Sequence, residues 1–305
     1  MVKFNLFCSI YSLGHNGLLS GAYLHGKVDN EGQITGDEIA YIYPDGTTAF
    51  RGKFKDKFMI SARNVDVLKY DCDENGMLIA TEFTEPLTEH IFKYEPSTNN
   101  SFGGGLPLSV RDPYEVKTVK LAQSKVPNSG EGVLVLRDIP NGRFASLYSL
   151  YLYSYPVQNE IYAKSCQHNT SHTEAYRRHC KKYSLGISSY MGVIDLPPEL
   201  DVNPLPNLGP KVNHHFRNKN AAYVEIEHPR FGLIQSVTAL RDIKAGEELF
   251  TNYGYAKMDF PDDFPWYWET KMALEREERL EEEAKKKLKE AKKKKKKSKN
   301  AKNKP

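Results

Sequence analysis

Apolar and polar positions alternate in short runs over the first ninety residues, with turn residues between them. Ile39-Ala40-Tyr41-Ile42-Tyr43 closes on Pro44-Asp45-Gly46, a turn in which proline presets φ and glycine accepts a positive φ. Thr47-Thr48-Ala49-Phe50-Arg51-Gly52-Lys53-Phe54 returns as the partner strand. The opening stretch, Met1 to Cys8, has too short an apolar run for a signal peptide and reads as a first strand. Ser97 to Ser101 and Gly103-Gly104-Gly105 read as a loop. Further strands are predicted at Val116–Val119, Gly132–Leu136, Phe144–Tyr153, Ala222–Ile226 and Leu233–Ala239. After Trp268 the pattern changes. Met272 to Lys289 is almost all strong helix formers, acidic early and basic late, which complements a helix dipole. Lys292 to Lys297 repel one another, and that end is expected to be disordered. The fold class is mostly β, followed by a C-terminal helix and a basic tail.

Composition sharpens this picture. A chain of 305 residues suggests two domains. No apolar run approaches the ~18 residues of a membrane span. Cys8, Cys72, Cys166 and Cys180 are scattered without a CxxC pair, as reduced thiols are. The net charge of +4 is unevenly spread. Residues 284–305 hold 13 lysines and one glutamate, so taking this +12 from the total leaves −8 on the other 283 residues. An acidic body attracts basic substrates. The basic tail reads either as a nuclear-import or nucleic-acid patch or as a solubilising run.

Tyr43-Pro44-Asp45-Gly46 followed six residues later by Gly52-Lys53-Phe54 resembles the MORN repeat, a hairpin unit that stacks into an open sheet. Gly21-Ala22-Tyr23 through Gly26-Lys27-Val28 and Asn30-Glu31-Gly32 read as a worn preceding copy in a shortened array. Three later segments, in order, resemble the SET domain of protein lysine methyltransferases: Ser129-Gly130-Glu131-Gly132-Val133, then Lys211-Val212-Asn213-His214-His215-Phe216, then Glu247-Glu248-Leu249-Phe250-Thr251-Asn252-Tyr253-Gly254-Tyr255. Taken singly, the first could be a glycine-rich hairpin turn and the second a polar loop bonding its own backbone. Val193 to Pro197, Leu208 to Lys211, His228-Pro229-Arg230-Phe231-Gly232 and Phe264-Pro265-Trp266-Tyr267 resemble one branch of that family. It carries N-terminal MORN repeats and monomethylates lysine-4 of histone H3 and non-histone proteins.

The resemblance implies a SET β-fold with a pseudoknot, S-adenosylmethionine as methyl donor, and a basic protein or peptide as substrate. It places the donor on Ser129, Gly130, Glu131, Gly132, Lys211, Asn213, His214 and Trp266. Tyr253 is implied beside the transferring methyl, with Tyr148 and Tyr223 lining a lysine channel; as plain residues, both also read as half-buried strand tyrosines. Lysine is protonated in water, with a pKa near ~10.4, and an apolar channel beside a sulfonium favours the neutral amine. The implied organisation is a MORN-type sheet at 1–85, a connection at 86–115, a SET domain at 116–268 and a charged helix with a lysine-rich tail at 269–305. A nuclear, chromatin-associated location follows from the same branch, with the cytoplasm as a second place of action.

The sequence also departs from the family. Asn213-His214-His215-Phe216-Arg217-Asn218-Lys219-Asn220 lacks the family's proline and holds one extra residue before Tyr223. Tyr148-Ser149-Leu150 replaces Tyr-Asn-Gly, and Tyr183-Ser184-Leu185-Gly186 stands where a substrate-pairing Asn-Thr-Leu-Ser strand is expected. Donor binding is retained in outline and the peptide groove is altered. Cys166, His168, His172, His179 and Cys180 cluster, and His168 and His172 at i, i+4 could share a helix face and bind zinc. Arg177, Arg178, Lys181 and Lys182 beside them oppose a cation, and no metal is assigned. The competing reading is a catalytically weak SET relative acting as a chromatin-tethered scaffold.

Overall fold

The computed structural model describes residues 7–13, 19–27, 34–72, 78–95, 110–126, 129–149, 151–157, 160, 185–187, 192–195, 207–254 and 265–302. The N-terminal part is a six-stranded antiparallel sheet in sequence order: β1 Phe7–Leu13, β2 Leu19–Lys27, β3 Gly36–Ile42, β4 Thr48–Lys55, β5 Phe58–Cys72 and β6 Leu78–Phe83. Each strand pairs with the one before it, so only short turns are needed. The β3–β4 turn is tied by Asp45, whose carboxylate accepts from the backbone N of Thr47 and Thr48 at 3.1 and 3.0 Å and from Thr48 Oγ1 at 2.7 Å.

Helix α1, Pro113–Thr118, stands where the sequence predicts a strand over Val116–Val119. Asp112 caps it by accepting from the backbone N of Tyr114 and Glu115, and Pro113 occupies its first turn. The cap and the fixed proline φ outweigh the strand preference of two valines, and Val119 only begins the next strand. That strand, β7 Val119–Gln123, pairs with β8 Glu131–Val135. The predicted run Phe144–Tyr153 divides into β9 Phe144–Tyr148 and β10 Tyr151–Ser154. β11 Leu185–Ile187 and β12 Gly192–Asp195 join β10 in a three-stranded sheet. A 3-10 turn, Gly209–Lys211, leads into β13 Asn213–His214. β14 Ala221–His228 and β15 Gly232–Ala239 form a sheet with β9.

The last strand, β16 Phe250–Thr251, pairs in parallel with β13. Both ends of the 213–220 loop bond to this segment. His215 N donates to Thr251 O at 3.0 Å, and Asn220 Nδ2 donates to Glu248 O at 2.8 Å. The backbone N of Phe250 donates to Asn220 Oδ1 at 2.8 Å.

Residues up to Tyr253 form one compact unit, and residues from Gly254 onward form a second. Within the first, the sheet is joined to the later strands by a shared core: Tyr41, Tyr43, Phe50, Phe54, Met59 and Phe92 cluster with Tyr114, Phe144, Leu147, Ile226, Phe231 and Ile234. The rings of Tyr43 and Tyr114 stack at 4.8 Å. Arg230 is fully buried, with its guanidinium 2.9 Å from Glu95 and above the rings of Phe92 and Phe231. Arg137 reaches Asp45 at 2.7 Å, Lys117 reaches Asp66 at 2.5 Å, and Lys57 reaches Glu227 at 2.6 Å.

The second unit contains helix α2, Pro265–Lys302. Its helix continues through Lys292–Lys297, which the sequence analysis expects to be disordered. Lysine is a good helix former, and a helix already nucleated upstream gains one backbone bond for each residue it adds. Among the described residues, no helix is long and apolar enough to cross a membrane. The Cys166–Cys180 cluster, the Gly103–Gly105 loop and Tyr255 lie outside the described residues.

Candidate functional site

The glycine strip lies at the β7–β8 hairpin. Gly130 has φ +69°, a left-handed conformation that glycine adopts at little cost, and a Cβ there would meet nothing within 4 Å. Gly132 is the reverse case: a Cβ would fall 2.1 Å from Glu248 Oε1. Gly132 is thus packed on Glu248, while exposed Gly130 has space where a side chain would stand. Ser129 Oγ bonds back to Val126 O at 2.8 Å, and Gln123 Nε2 reaches Gly130 O at 2.8 Å, which closes the hairpin end.

Asn213 comes to the strip from β13. Its Nδ2 donates to Glu131 O at 2.9 Å and to Glu248 Oε1 at 3.2 Å, with Ser129 Oγ at 3.5 Å. Lys211 Nζ, on the preceding turn, lies 3.9 Å from Glu131 Oε2. Six of the predicted donor residues, Ser129, Gly130, Glu131, Gly132, Lys211 and Asn213, are thus brought to one place. His214 follows directly in β13. Trp266 lies in α2, and its side chain is outside the described residues.

His214 is buried, and its Nδ1 accepts from the backbone N of Tyr253 at 3.1 Å. That bond needs an unprotonated Nδ1. Burial, with the neighbouring His215 adding to it, pushes the His214 pKa down to about 4, so the ring stays neutral near pH 7. The Tyr253 hydroxyl donates to Val212 O at 3.1 Å. Tyr148 and Tyr223 come together with ring centroids 5.6 Å apart, edge to face. Burial pushes the Tyr223 phenol up to about 12, with Thr251 beside it acting in the opposite sense. Thr251 lies two residues before Tyr253, which links the tyrosine pair to the closing strand.

Three further side chains organise this region. Glu248 accepts from Ser124 Oγ at 2.6 Å and from Lys125 N at 2.8 Å, besides Asn213. Asn220 staples the closing strand. Gln235, opposite Tyr148 in the β15–β9 register, donates to Gly186 O at 2.9 Å and so links the core sheet to β11. Glu248 stood in a quoted motif, but only the pleat distinguishes it from Glu247, which faces solvent and pairs with Arg241 at 2.7 Å. Asn220 closes the family-like segment that begins at Asn213, whereas nothing local marks Gln235.

Residues 14–76 match the family described as "Histone H3 K4-specific methyltransferase SET7 N-terminal", and residues 130–254 match the SET domain. A curated relative, the histone-lysine N-methyltransferase SETD7 of Halocynthia roretzi, is 31% identical over 242 residues, or 78% of this chain and 57% of the relative. The chain thus spans somewhat over half the length of that relative. Two solved structures share part of the chain. One is ctPRC2 in an autoinhibited conformation bound to S-adenosylmethionine (24% identity, TM-score 0.33, 52% of this chain and 17% of that one). The other is the Chaetomium thermophilum Polycomb Repressive Complex 2 bound to GSK126 (23%, 0.33, 48% and 16%). Likenesses that partial say nothing about function.

Proposed function

We propose, from the premise that this chain belongs to the SET-domain family and carries a SET7-type N-terminal region, that it is a protein-lysine N-methyltransferase. The methyl donor is S-adenosylmethionine, which supplies an electrophilic methyl on a sulfonium when bound. The acceptor is a lysine of a basic protein, histone H3 at its lysine-4 position or a non-histone protein. The observation that carries this reading is the pair of glycines at the β7–β8 hairpin, Gly130 left-handed with free space beside it and Gly132 packed on Glu248 and Asn213. Backbone of that strip would lie along a ligand, with Ser129, Glu131, Lys211, Asn213 and His214 holding it.

The tyrosines supply the acceptor side. Tyr148 and Tyr223 form an apolar wall that disfavours an ammonium and excludes water. Tyr253, accepting an N–H of the neutral amine, turns the nitrogen lone pair toward the methyl, and this orientation is where most of the rate gain arises. The negative charge of the body draws basic peptides. The division into a MORN-type sheet at 1–85, a connection at 86–115, a SET domain at 116–268 and a charged C-terminal segment at 269–305 belongs to the same reading. So do action on chromatin in the nucleus and a nucleic-acid contact through the lysine tail.

The test is transfer of radiolabelled methyl from the donor to histone H3 and to whole-cell protein, by wild type and by Tyr253→Phe. Losing one positioned hydrogen bond at the reacting centre should lower kcat and kcat/KM together by on the order of 10²-fold, with donor affinity little changed. Equal single-turnover rates at saturating donor would remove Tyr253 from the reaction, and no labelled protein at all would overturn the proposed activity.

A further inference from the structure

The Glu248 carboxylate sits where the two segments assigned to the donor meet. It is 2% exposed. It receives three donors: Ser124 Oγ at 2.6 Å, Lys125 N at 2.8 Å and Asn213 Nδ2 at 3.2 Å. Its own backbone is fixed as well. Asn220 Nδ2 holds Glu248 O at 2.8 Å, and the next residue, Leu249, donates its N–H to Val133 O at 2.8 Å. The side chain therefore enters from the segment just before β16, passes against Gly132, and ends between the β7–β8 hairpin and β13. Gly132 is what allows the passage, since a Cβ there would collide with Oε1 at 2.1 Å.

An ionised carboxylate only accepts. Facing Asn213, it decides which way round that amide stands. Nδ2 turns to Glu248 Oε1 and Glu131 O, so Oδ1 is the end directed elsewhere. On the hairpin side, Ser124 Oγ serves Glu248 and also accepts from Val126 N at 3.0 Å, so the same carboxylate anchors the start of the turn that leads to Ser129 and Gly130. One buried group thus sets the polarity of the β13 amide and the path of the glycine strip.

We infer that Glu248 is a positioning residue of the proposed donor site, acting chiefly through the Asn213 amide. The inference rests on the donor-binding reading above. A site held in its binding geometry beforehand avoids the cost of ordering on association. Glutamine at 248 has the same shape but can donate as well as accept, so it no longer dictates the orientation of Asn213. Catalysis on bound donor depends on Tyr253 and the tyrosine pair, not on Glu248. The signature is therefore a loss in donor affinity at nearly unchanged turnover, which general destabilisation of the fold does not produce.

The experiment titrates S-adenosylmethionine calorimetrically into the full chain as wild type, Glu248→Gln, Asn213→Ala and the double variant, with single-turnover rates at saturating donor. Each single variant should weaken donor binding about tenfold, the scale of one charged hydrogen bond. The double variant should bind within about twofold of Asn213→Ala, because residues acting through one contact are not additive. The Glu248→Gln rate at saturating donor should stay within about threefold of wild type. Ser124→Ala removes one of the three donors and serves if Glu248→Gln does not fold; it should weaken binding about threefold. Undiminished binding by Glu248→Gln, or by Ser124→Ala in its place, overturns the inference, as do fully additive losses. If wild type itself gives no heat and no thermal shift with millimolar donor, the donor reading falls, and the inference falls with it.

Discussion

The seam between the N-terminal sheet and the SET core and the C-terminal helix are built from the same charged residue types, used in opposite ways. In the seam, Arg230, Asp112 and Glu115 are buried to 0% exposure, each with particular partners. Arg230 meets Glu95. Asp112 receives the Tyr43 hydroxyl and caps α1. Glu115 receives Ser146 Oγ and the backbone N–H groups of Leu147 and Leu208. In α2, a pair such as Glu281 with Lys285 spans one helical turn at 3.4 Å, with both side chains about 70% exposed. Arg230, Asp112 and Glu115 have lost their water and depend on particular partners, whereas the charges of that helix pair keep theirs and are worth a few tenths of a kcal/mol. The sheet is thus welded to the SET core rather than appended to it, which weakens the case for a separate binding module.

The sharpest way to break that contrast is at Arg230. Arg230→Ala removes a fully buried side chain, its bonds to Glu95 and its stacking over two phenylalanines, and should lower unfolding free energy by about 3–5 kcal/mol. Arg230→Met keeps much of the volume and should recover part of the loss. The check is the urea midpoint of each variant. If Arg230→Ala unfolds within ~0.5 kcal/mol of wild type, the seam is no more committed than the helix.

Glu115 sharpens the comparison through pH. Burial raises its carboxyl from an ordinary 4.5 to about 7, against the pull of Ser146 and the backbone donors. Between pH 4.5 and 7 the folded state then holds a proton that the unfolded state has lost, so this group's contribution to stability falls as pH rises, by at most ~1.4 kcal/mol per pH unit. His214 acts in the reverse sense. Its pKa is depressed to about 4, so the unfolded state takes the proton first and stability is lost as pH falls from 6.5 toward 4. The two slopes oppose each other over most of one window. Glu115→Gln, which can still accept from Ser146, Leu147 and Leu208, should leave stability climbing more steeply from pH 4.5 to 7 than in wild type. Parallel stability curves for the two proteins would assign Glu115 an ordinary carboxyl.

Much of this was legible in the sequence where the signal was local. The β3–β4 hairpin followed from Tyr43-Pro44-Asp45-Gly46, and the glycine strip, Asn213 and Tyr253 were readable as ordered motifs. Helix α1 was hidden because Val116–Val119 looks like a strand, although Asp112-Pro113 is a cap followed by a first-turn proline and could have been read as such. The seam could not be read at all. Arg230 finds Glu95 across 135 positions and Glu115 finds Leu208 across 93, and nothing near either residue announces its partner. Glu247 and Glu248 are adjacent and alike as letters. Only the pleat sends one to solvent and the other into the site.

The smallest expected effect tests the helix side of the comparison. In the stretch from Lys292 to Lys297, the pairs Lys292–Lys296 and Lys293–Lys297 stand at i, i+4, and like charges so spaced each cost about 0.2–0.5 kcal/mol. Helicity here is expected to rest on propensity and on continuity with the helix upstream. Salt screens repulsion between like charges: the screening length shrinks from ~10 Å at 0.1 M to ~3 Å at 1 M. The circular dichroism at 222 nm contributed by residues 285–305, taken as the full chain minus a chain ending at Ala284, should therefore deepen as sodium chloride rises from low concentration to 1 M. The melting temperature of the body should be the same in both proteins. A contribution that ignores salt, or a body that melts earlier without these residues, would mean the lysine end is held by packing, and the division between a committed seam and an independent helix would fail there.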